Sequence, residues 1–241
     1  MSRAVLLICT TVALASASTA TAAPIMMKFV SGATTVTVND GGIYDSNPVA
    51  DAITFVGPVG SWNLNIGTGL GPHVLGPATM ALASIDLAVF GSAHPLIVSL
   101  TQTGITSPVT GFVMDFNGTA IHGGGASYSA YADDANAAFG LSQLIGTLGP
   151  YVGPFSGSTS GSVSVTGPYS LTQVLTIHGG GRRGPSGLTL YQGEALLTPQ
   201  LRLDPDGQIE EVPEPMSLAL FGGGLTIVGA WLRRRRQARM S

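Results

Sequence analysis

From Met26 onward the chain alternates apolar and polar residues in short runs, each closed by Gly, Pro, Asn or Ser. Successive side chains of an extended strand point to opposite faces, so each run predicts one strand of a half-buried sheet. In "TTVTV" at 34–38 the valines take one face and the threonines the other, and the turn "NDGG" follows. "SWNLNI" sets Trp62, Leu64 and Ile66 inward against Asn63 and Asn65 outward, and "SIDLAVF" repeats the pattern with Ile85, Leu87 and Val89. "PLIVSLTQTG" reads as a neighbouring strand, with further strands at 111–116, 126–132, 162–166, 171–177 and 188–197. This predicts an all-β fold, an antiparallel, jelly-roll-like β-sandwich over 23–203.

No segment of this body shows a capped helical period. "DANAAFGLSQLIGTLG" at 134–149 comes nearest, with Asp134 placed to cap a turn containing Ala137, Ala138 and Leu141, but its glycines break it. It reads as a loop. "GPYVGPFSGSTSGS" at 149–162 reads as flexible from its composition.

The two ends follow other patterns. "MSRAVLLICTTVALASASTATAAP" runs from one arginine through an apolar stretch to Ala20-Thr21-Ala22, the layout of a secretory signal peptide covering 1–22. Its Cys9 is the chain's one cysteine, so the exported protein would carry no thiol and no disulfide. An acidic linker, "DPDGQIEEV" at 204–212, precedes Pro213, Glu214 and Pro215, and residues 216–232 then run uncharged to Arg233, Arg234, Arg235 and Arg236. At about 1.5 Å per residue the uncharged run spans roughly 25 Å, the short limit for a transmembrane helix. The arginines would hold the cytoplasmic side.

Composition and charge narrow the function. Gly 34 and Pro 15 in 241 residues make about a fifth of the chain, short of the roughly 25–30% that marks disorder. The net charge of -3 conceals an imbalance, because six of the ten basic residues lie in the terminal segments with Glu214. The remaining body holds four basic against twelve acidic groups, a balance unsuited to neutralising phosphates, so nucleic acid is excluded as a partner.

Motifs for catalysis are incomplete. HGGG occurs at His122 and again at His178 and is shared with the oxyanion loops of esterases, but no G-x-S-x-G elbow accompanies it: Gly157 to Gly161 reads "GSTSG". Gly179, Gly180 and Gly181 lack the G-K-[ST] of a phosphate loop. His73, His94, His122 and His178 lack the spacings of zinc ligands. Hard oxygen donors are better represented. Asp115 with Asn117, Asp133 with Asp134, and Asp204 with Asp206 are candidate calcium ligands, since Ca²⁺ takes six to eight oxygens. The same residue types also build turns, and a carboxylate pair is what glycoside hydrolysis requires. Trp62, Tyr128, Tyr131, Tyr151 and Tyr169 are the aromatics available to grip a sugar. Trp62 suits the core, and Tyr128 and Tyr131, three apart, face opposite ways on a strand.

The three-part end, Val212-Pro213-Glu214-Pro215, the apolar run and the arginine cluster, closely resembles the PEP-CTERM sorting signal of Gram-negative bacteria. The body is similar to uncharacterised β domains carried by such proteins, through "GSWNLNIGTGLG" and "YSLTQVLTIHGG". The resemblance implies an exosortase as partner, a transpeptidase-like membrane enzyme that recognises Pro213-Glu214-Pro215 and removes the helix. It also implies passage across the inner membrane, transient anchoring there, and a place in exopolysaccharide or biofilm matrix. The expected function is a secreted or surface matrix-associated protein without catalytic activity. A carbohydrate- or calcium-binding module of the matrix is the second expectation, and a polysaccharide hydrolase the third.

Overall fold

The alternating runs become twelve strands among the residues that the computed structural model describes: 25–90, 94–120, 124–165, 168–179 and 188–200. In chain order these are β1 Met26–Ser31, β2 Thr34–Asn39, β3 Ala52–Val59, β4 Trp62–Leu70, β5 Met80–Phe90, β6 Leu96–Ile105, β7 Gly111–Ala120, β8 Gly125–Asp133, β9 Gln143–Tyr151, β10 Gly153–Ser162, β11 Tyr169–His178 and β12 Leu188–Gln200. One short helix, α1 Pro72–Leu75, lies between β4 and β5. The signal peptide, linker, Pro-Glu-Pro motif, apolar run and arginine cluster all lie outside the described residues. Within those residues no helix is long and apolar enough to cross a membrane.

Sheet I has the order β2-β1-β6-β11-β8-β9 and sheet II the order β10-β7-β12-β5-β4-β3, every pair antiparallel. From β5 to β8, and again from β9 to β12, each strand lies in the opposite sheet to the one before it. Orders β6-β11-β8-β9 and β10-β7-β12-β5 therefore interlock as the double Greek key of a jelly roll. The hairpins β1-β2 and β3-β4 lengthen the sheets at the other side.

Alternation decides what faces inward. Met27 and Phe29 of β1, Leu96, Val98 and Leu100 of β6, and Leu171, Leu175 and Ile177 of β11 are buried against Phe112, Met114 and Phe116 of β7, Ile85 and Leu87 of β5, and Ala195 and Leu197 of β12. Aromatic contacts tie the layers: Phe29 meets Phe55 at 4.8 Å between centroids, and Phe116 meets Tyr128 at 5.6 Å. Trp62 is buried as expected, its indole N-H donating to the His94 carbonyl at 2.8 Å. Gln173 is a polar exception in the core, its amide donating to the Met80 carbonyl across the sandwich at 2.7 Å.

Three expectations need correction. Residues 143–151 and 153–162, read as loop and flexible segment, are the regular strands β9 and β10, and of the strand expected at 162–166 only Ser162, the last residue of β10, lies in a strand among the described residues. β10 keeps strict alternation, with Gly153, Phe155, Gly157, Thr159 and Gly161 on the inner row and Ser156, Ser158, Ser160 and Ser162 exposed. Its inner row is glycine-rich because β9, the edge of the other sheet, passes close by: a Cβ at Gly161 would strike the Ile145 carbonyl, and one at Gly157 the Tyr151 hydroxyl. The third correction is in β4. A register shift between Leu64 and Ile66 breaks the alternation, so Leu64 pairs with Leu87 but Ile66 with Asp86.

Candidate functional site

The predicted carboxylates fall in two separate places. Asp115 and Asn117 lie on β7, on the solvent face of sheet II, whereas Asp133 ends β8 in sheet I and Asp134 follows it. Asp204 and Asp206 lie outside the described residues. The three pairs therefore do not supply one set of ligands among those residues, in which no three His, Cys, Asp or Glu side chains are placed to hold a metal ion.

Asp133 holds a loop. Its carboxylate accepts the backbone N-H of Ala135 at 3.3 Å and of Ala137 at 3.2 Å. A hydrogen bond from Ser142, with those from the Ala137 and Ala135 N-H groups, outweighs burial and lowers its pKa. Residues 134–142 fold back along the solvent side of sheet I. The Gly104 N-H donates to Asn136 Oδ1 at 2.7 Å, the Phe139 N-H to Thr101 Oγ1 at 3.1 Å, and Ser170 Oγ to the Ala137 carbonyl at 2.7 Å. Lys28 Nζ stands 4.1 Å from the centre of the Phe139 ring. This is the turn chemistry of Asp and Asn.

Asp115 and Asn117 have a different setting. Antiparallel pairing puts Asn117 directly between Ser156 of β10 and Glu194 of β12, and Asp115 between Ser158 and Leu196. One step further along, Gln192 stands between Thr119 and Asp86. Directly opposed residues share a face, so Asp86, Asp115, Asn117, Ser156, Ser158, Gln192 and Glu194 form one surface across four strands. Ser156 Oγ lies 2.6 Å from Asn117 Oδ1. Glu194 is half-buried, and its desolvation raises the carboxyl pKa. Lys28, the one Lys or Arg among the described residues, is in the other sheet. The three carboxylates thus meet no basic side chain within the described part of the protein.

Such a surface accepts and donates hydrogen bonds at many points along a flat strip. Carboxylates accept, the amides of Asn117 and Gln192 do both, and the serine hydroxyls do both. The sequence signal for Asp115 and Asn117 was their proximity in the chain. Glu194, Gln192 and Asp86 were missed because only the strand order brings them alongside. Of the candidate aromatics, Tyr128 and Tyr169 are buried, Tyr151 stacks on Phe155 at 5.1 Å, and Tyr131 stands half-buried on the solvent side of sheet I. His178 ends β11, and the GSTSG string lies flat within β10, giving no nucleophile elbow. A separate cleft of ≈ 260 Å³ at one end of the sandwich, lined by Pro72, Pro77, Ala78, Gln102 and Ile105, is below the usual size of a small-molecule pocket.

No family model and no curated protein matches the chain. Among solved structures, it is similar to the carbohydrate-binding module TmCBM61 in complex with β-1,4-galactotriose, at 7% identity and a TM-score of 0.31, covering 58% of this chain and 88% of that one. It is also similar to the adhesin domain of Epf from Streptococcus pyogenes, at 12% identity and a TM-score of 0.36 over 73% of this chain and 58% of that one. A CBM4 structure matches at 14% identity and a TM-score of 0.27, over 54% of this chain and 97% of its own length.

Proposed function

We propose that this protein is an exported, non-catalytic component of the extracellular matrix that binds uncharged polysaccharide along the solvent face of sheet II. The observation that supports the reading is the row Ser156, Asn117, Glu194 with Asp115 beside it. A half-buried carboxylate that meets no Lys or Arg among the described residues is costly to hold in a fold, and a donor from a ligand would offset that cost. Sugar hydroxyls are such donors, and an open strip suits a linear polymer. Carboxylates that no Lys or Arg of the described residues neutralises would repel uronate or sulfate, which selects for neutral chains. Export and sorting rest on the terminal segments, with exosortase as the processing partner and the inner membrane as a transient station.

Asp115 and Glu194, diagonal neighbours on this face, are also the pair a hydrolase would use. Binding is preferred because the pair lies on the strand face of sheet II and not in the cleft lined by Pro72, Pro77 and Gln102. The test is affinity electrophoresis of the secreted protein in gels containing the producer's own neutral polysaccharide, against an acidic polysaccharide as control. Neutral polymer should retard the protein, and Glu194→Gln or Asn117→Ala should lose about tenfold in affinity, the equivalent of one charge-assisted hydrogen bond. Equal migration in all gels rejects the reading, and release of reducing sugar replaces it with the hydrolase.

A further inference from the structure

A sheet edge presents a row of backbone donors and acceptors, and folds commonly block it with proline, a bulge, a charge or a covering segment. Among the described strands, β3, β9 and β10 form three of the four edges and are blocked in this way. β3 holds Pro58 and a register shift between Phe55 and Gly57. The segment before β3 also lies along that edge: the Ser46 N-H donates to the Thr54 carbonyl, and the Thr54 N-H to Asp45 Oδ1, both at 2.9 Å. β9 holds Pro150 and two register shifts against β8. β10 holds Pro154, and just beyond it the Gln143 side chain of β9 donates to the Ser164 carbonyl at 3.0 Å and accepts the Ser164 N-H at 3.3 Å.

The fourth edge, β2, is "TTVTVN", with no proline, glycine or charge. It pairs with β1 residue for residue, without a bulge, from Met26 with Asn39 to Ser31 with Thr34. The Asp40 N-H donates to the Ile25 carbonyl at 3.3 Å, which fixes the phase of the ladder. Thr34, Val36 and Val38 therefore turn their backbone groups to β1, while Thr35, Thr37 and Asn39 turn theirs to the open edge. No described residue bonds the backbone of Thr35 or Thr37 there. Thr35 and Thr37 are exposed, Val38 is buried, and Val36 is only half-buried at the rim of the core.

We propose that β2 pairs with the β2 of a second copy of this chain, antiparallel about a two-fold axis at Thr37, so that the two copies of sheet I become one. The edge is its own complement. About that axis Thr37 meets its own copy and exchanges both backbone hydrogen bonds with it, and Thr35 meets Asn39. Threonine then lies beside threonine on the outer row, and Val36 beside Val38 on the inner row, which withdraws the half-buried Val36 from water. Charge does not oppose the pairing. β2 is uncharged, and the nearby Asp40 and Asp45 accept N-H groups of their own loop. The two copies of Lys28, each beside Thr37 in β1, would stand three strand spacings or roughly 14 Å apart, beyond the screening length of about 8 Å at physiological salt. Six residues a side make a small interface of the transient class. The axis stands perpendicular to the sheet, so both copies of sheet II face the same side. On the preceding reading of sheet II, which this consequence relies on, the dimer holds a linear polymer at two faces and gains avidity.

Sedimentation velocity of the purified protein, without polysaccharide, should show its mass rise toward that of a dimer between about 1 and 100 µM, the range of a transient interface. Thr37→Lys sets two ammonium groups face to face and should stay monomeric over that range, with a melting temperature within about 2 °C of the wild type. Thr147→Lys, at an exposed threonine of β9, should leave the dimer intact. Beyond residue 22 the chain has no cysteine, so Thr37→Cys should form a covalent dimer on mild oxidation and Thr147→Cys should not. A wild type that remains monomeric at the upper concentration overturns the pairing, as does a dimer that Thr37→Lys leaves intact and Thr37→Cys does not trap. In gels containing neutral polysaccharide, Thr37→Lys should lose about tenfold in apparent affinity with sheet II untouched. A dimer that the polymer does not retard overturns the sugar reading alone and leaves the pairing in place.

Discussion

Glu194 shows what a single residue reveals about use. Its carboxyl is partly withdrawn from water, so the folded protein disfavours its ionised form and the pKa is raised. For an acid shifted in this direction the penalty applies in full above the folded pKa. It is relieved as the pH falls from there to the unfolded value of about 4.3. Replacement by the neutral isostere should therefore stabilise the fold at pH 7 and make no difference near pH 4. Thermal denaturation of Glu194→Gln beside the wild type at both values tests this. A higher melting temperature at pH 7, together with weaker polysaccharide retention, would show stability given up for binding. A lower one would mean that the carboxylate supports the fold. Asp133 is the opposite case, since hydrogen bonds lower its pKa and its acceptors are already occupied by the loop it holds.

The strand β10 shows why an element can be misread. Glycine and serine in alternation carry low strand propensity, and composition alone assigns them to a linker. The propensity is overridden because Gly157 and Gly161 occupy the positions of the inner row at which a Cβ would clash. There the β9 backbone approaches Gly161, and the Tyr151 ring, stacked on Phe155, lies against Gly157. Gly161→Ala should cost about 1–3 kcal/mol by overpacking, a fall in melting temperature of roughly 3–10 °C for a domain of this size. Ser160→Ala, on the exposed row one residue away, should change it little, and equal effects from the two would remove the explanation. Strands with apolar inner rows, such as β5, β6 and β11, were legible because their pattern states burial directly. Those whose inner row is set by a neighbour from another part of the chain, β9 and β10, were not. The candidate site followed the same division: Asp115 and Asn117 share a strand and were visible, while Glu194, about eighty residues further along by the sequence, joins them only through the pairing of β12 with β7.

At the scale of the whole molecule, the jelly roll brings the first and last described residues, Ile25 and Gln200, to one end. That arrangement suits a domain displayed from a surface, and under the proposed reading the segment after it would be the means of display. Pro213 and Pro215 cannot lie within a regular helix, and each biases the residue before it toward extended backbone. The apolar helix would then begin at Met216, leaving Pro-Glu-Pro just outside the hydrocarbon in a conformation open to an enzyme that reads an extended strand. Arg233 to Arg236, on the cytoplasmic side, would fix the orientation that presents the motif on the same side as the domain. Deleting Pro213 to Pro215 leaves the apolar run and the arginines intact, so insertion should proceed and cleavage fail. Fractionation and immunoblotting should then find the full-length chain retained in the membrane, where the wild type yields a shorter form that leaves it. If the deleted chain is shortened and released as the wild type is, the motif is not the sorting signal and the helix is removed by some other route.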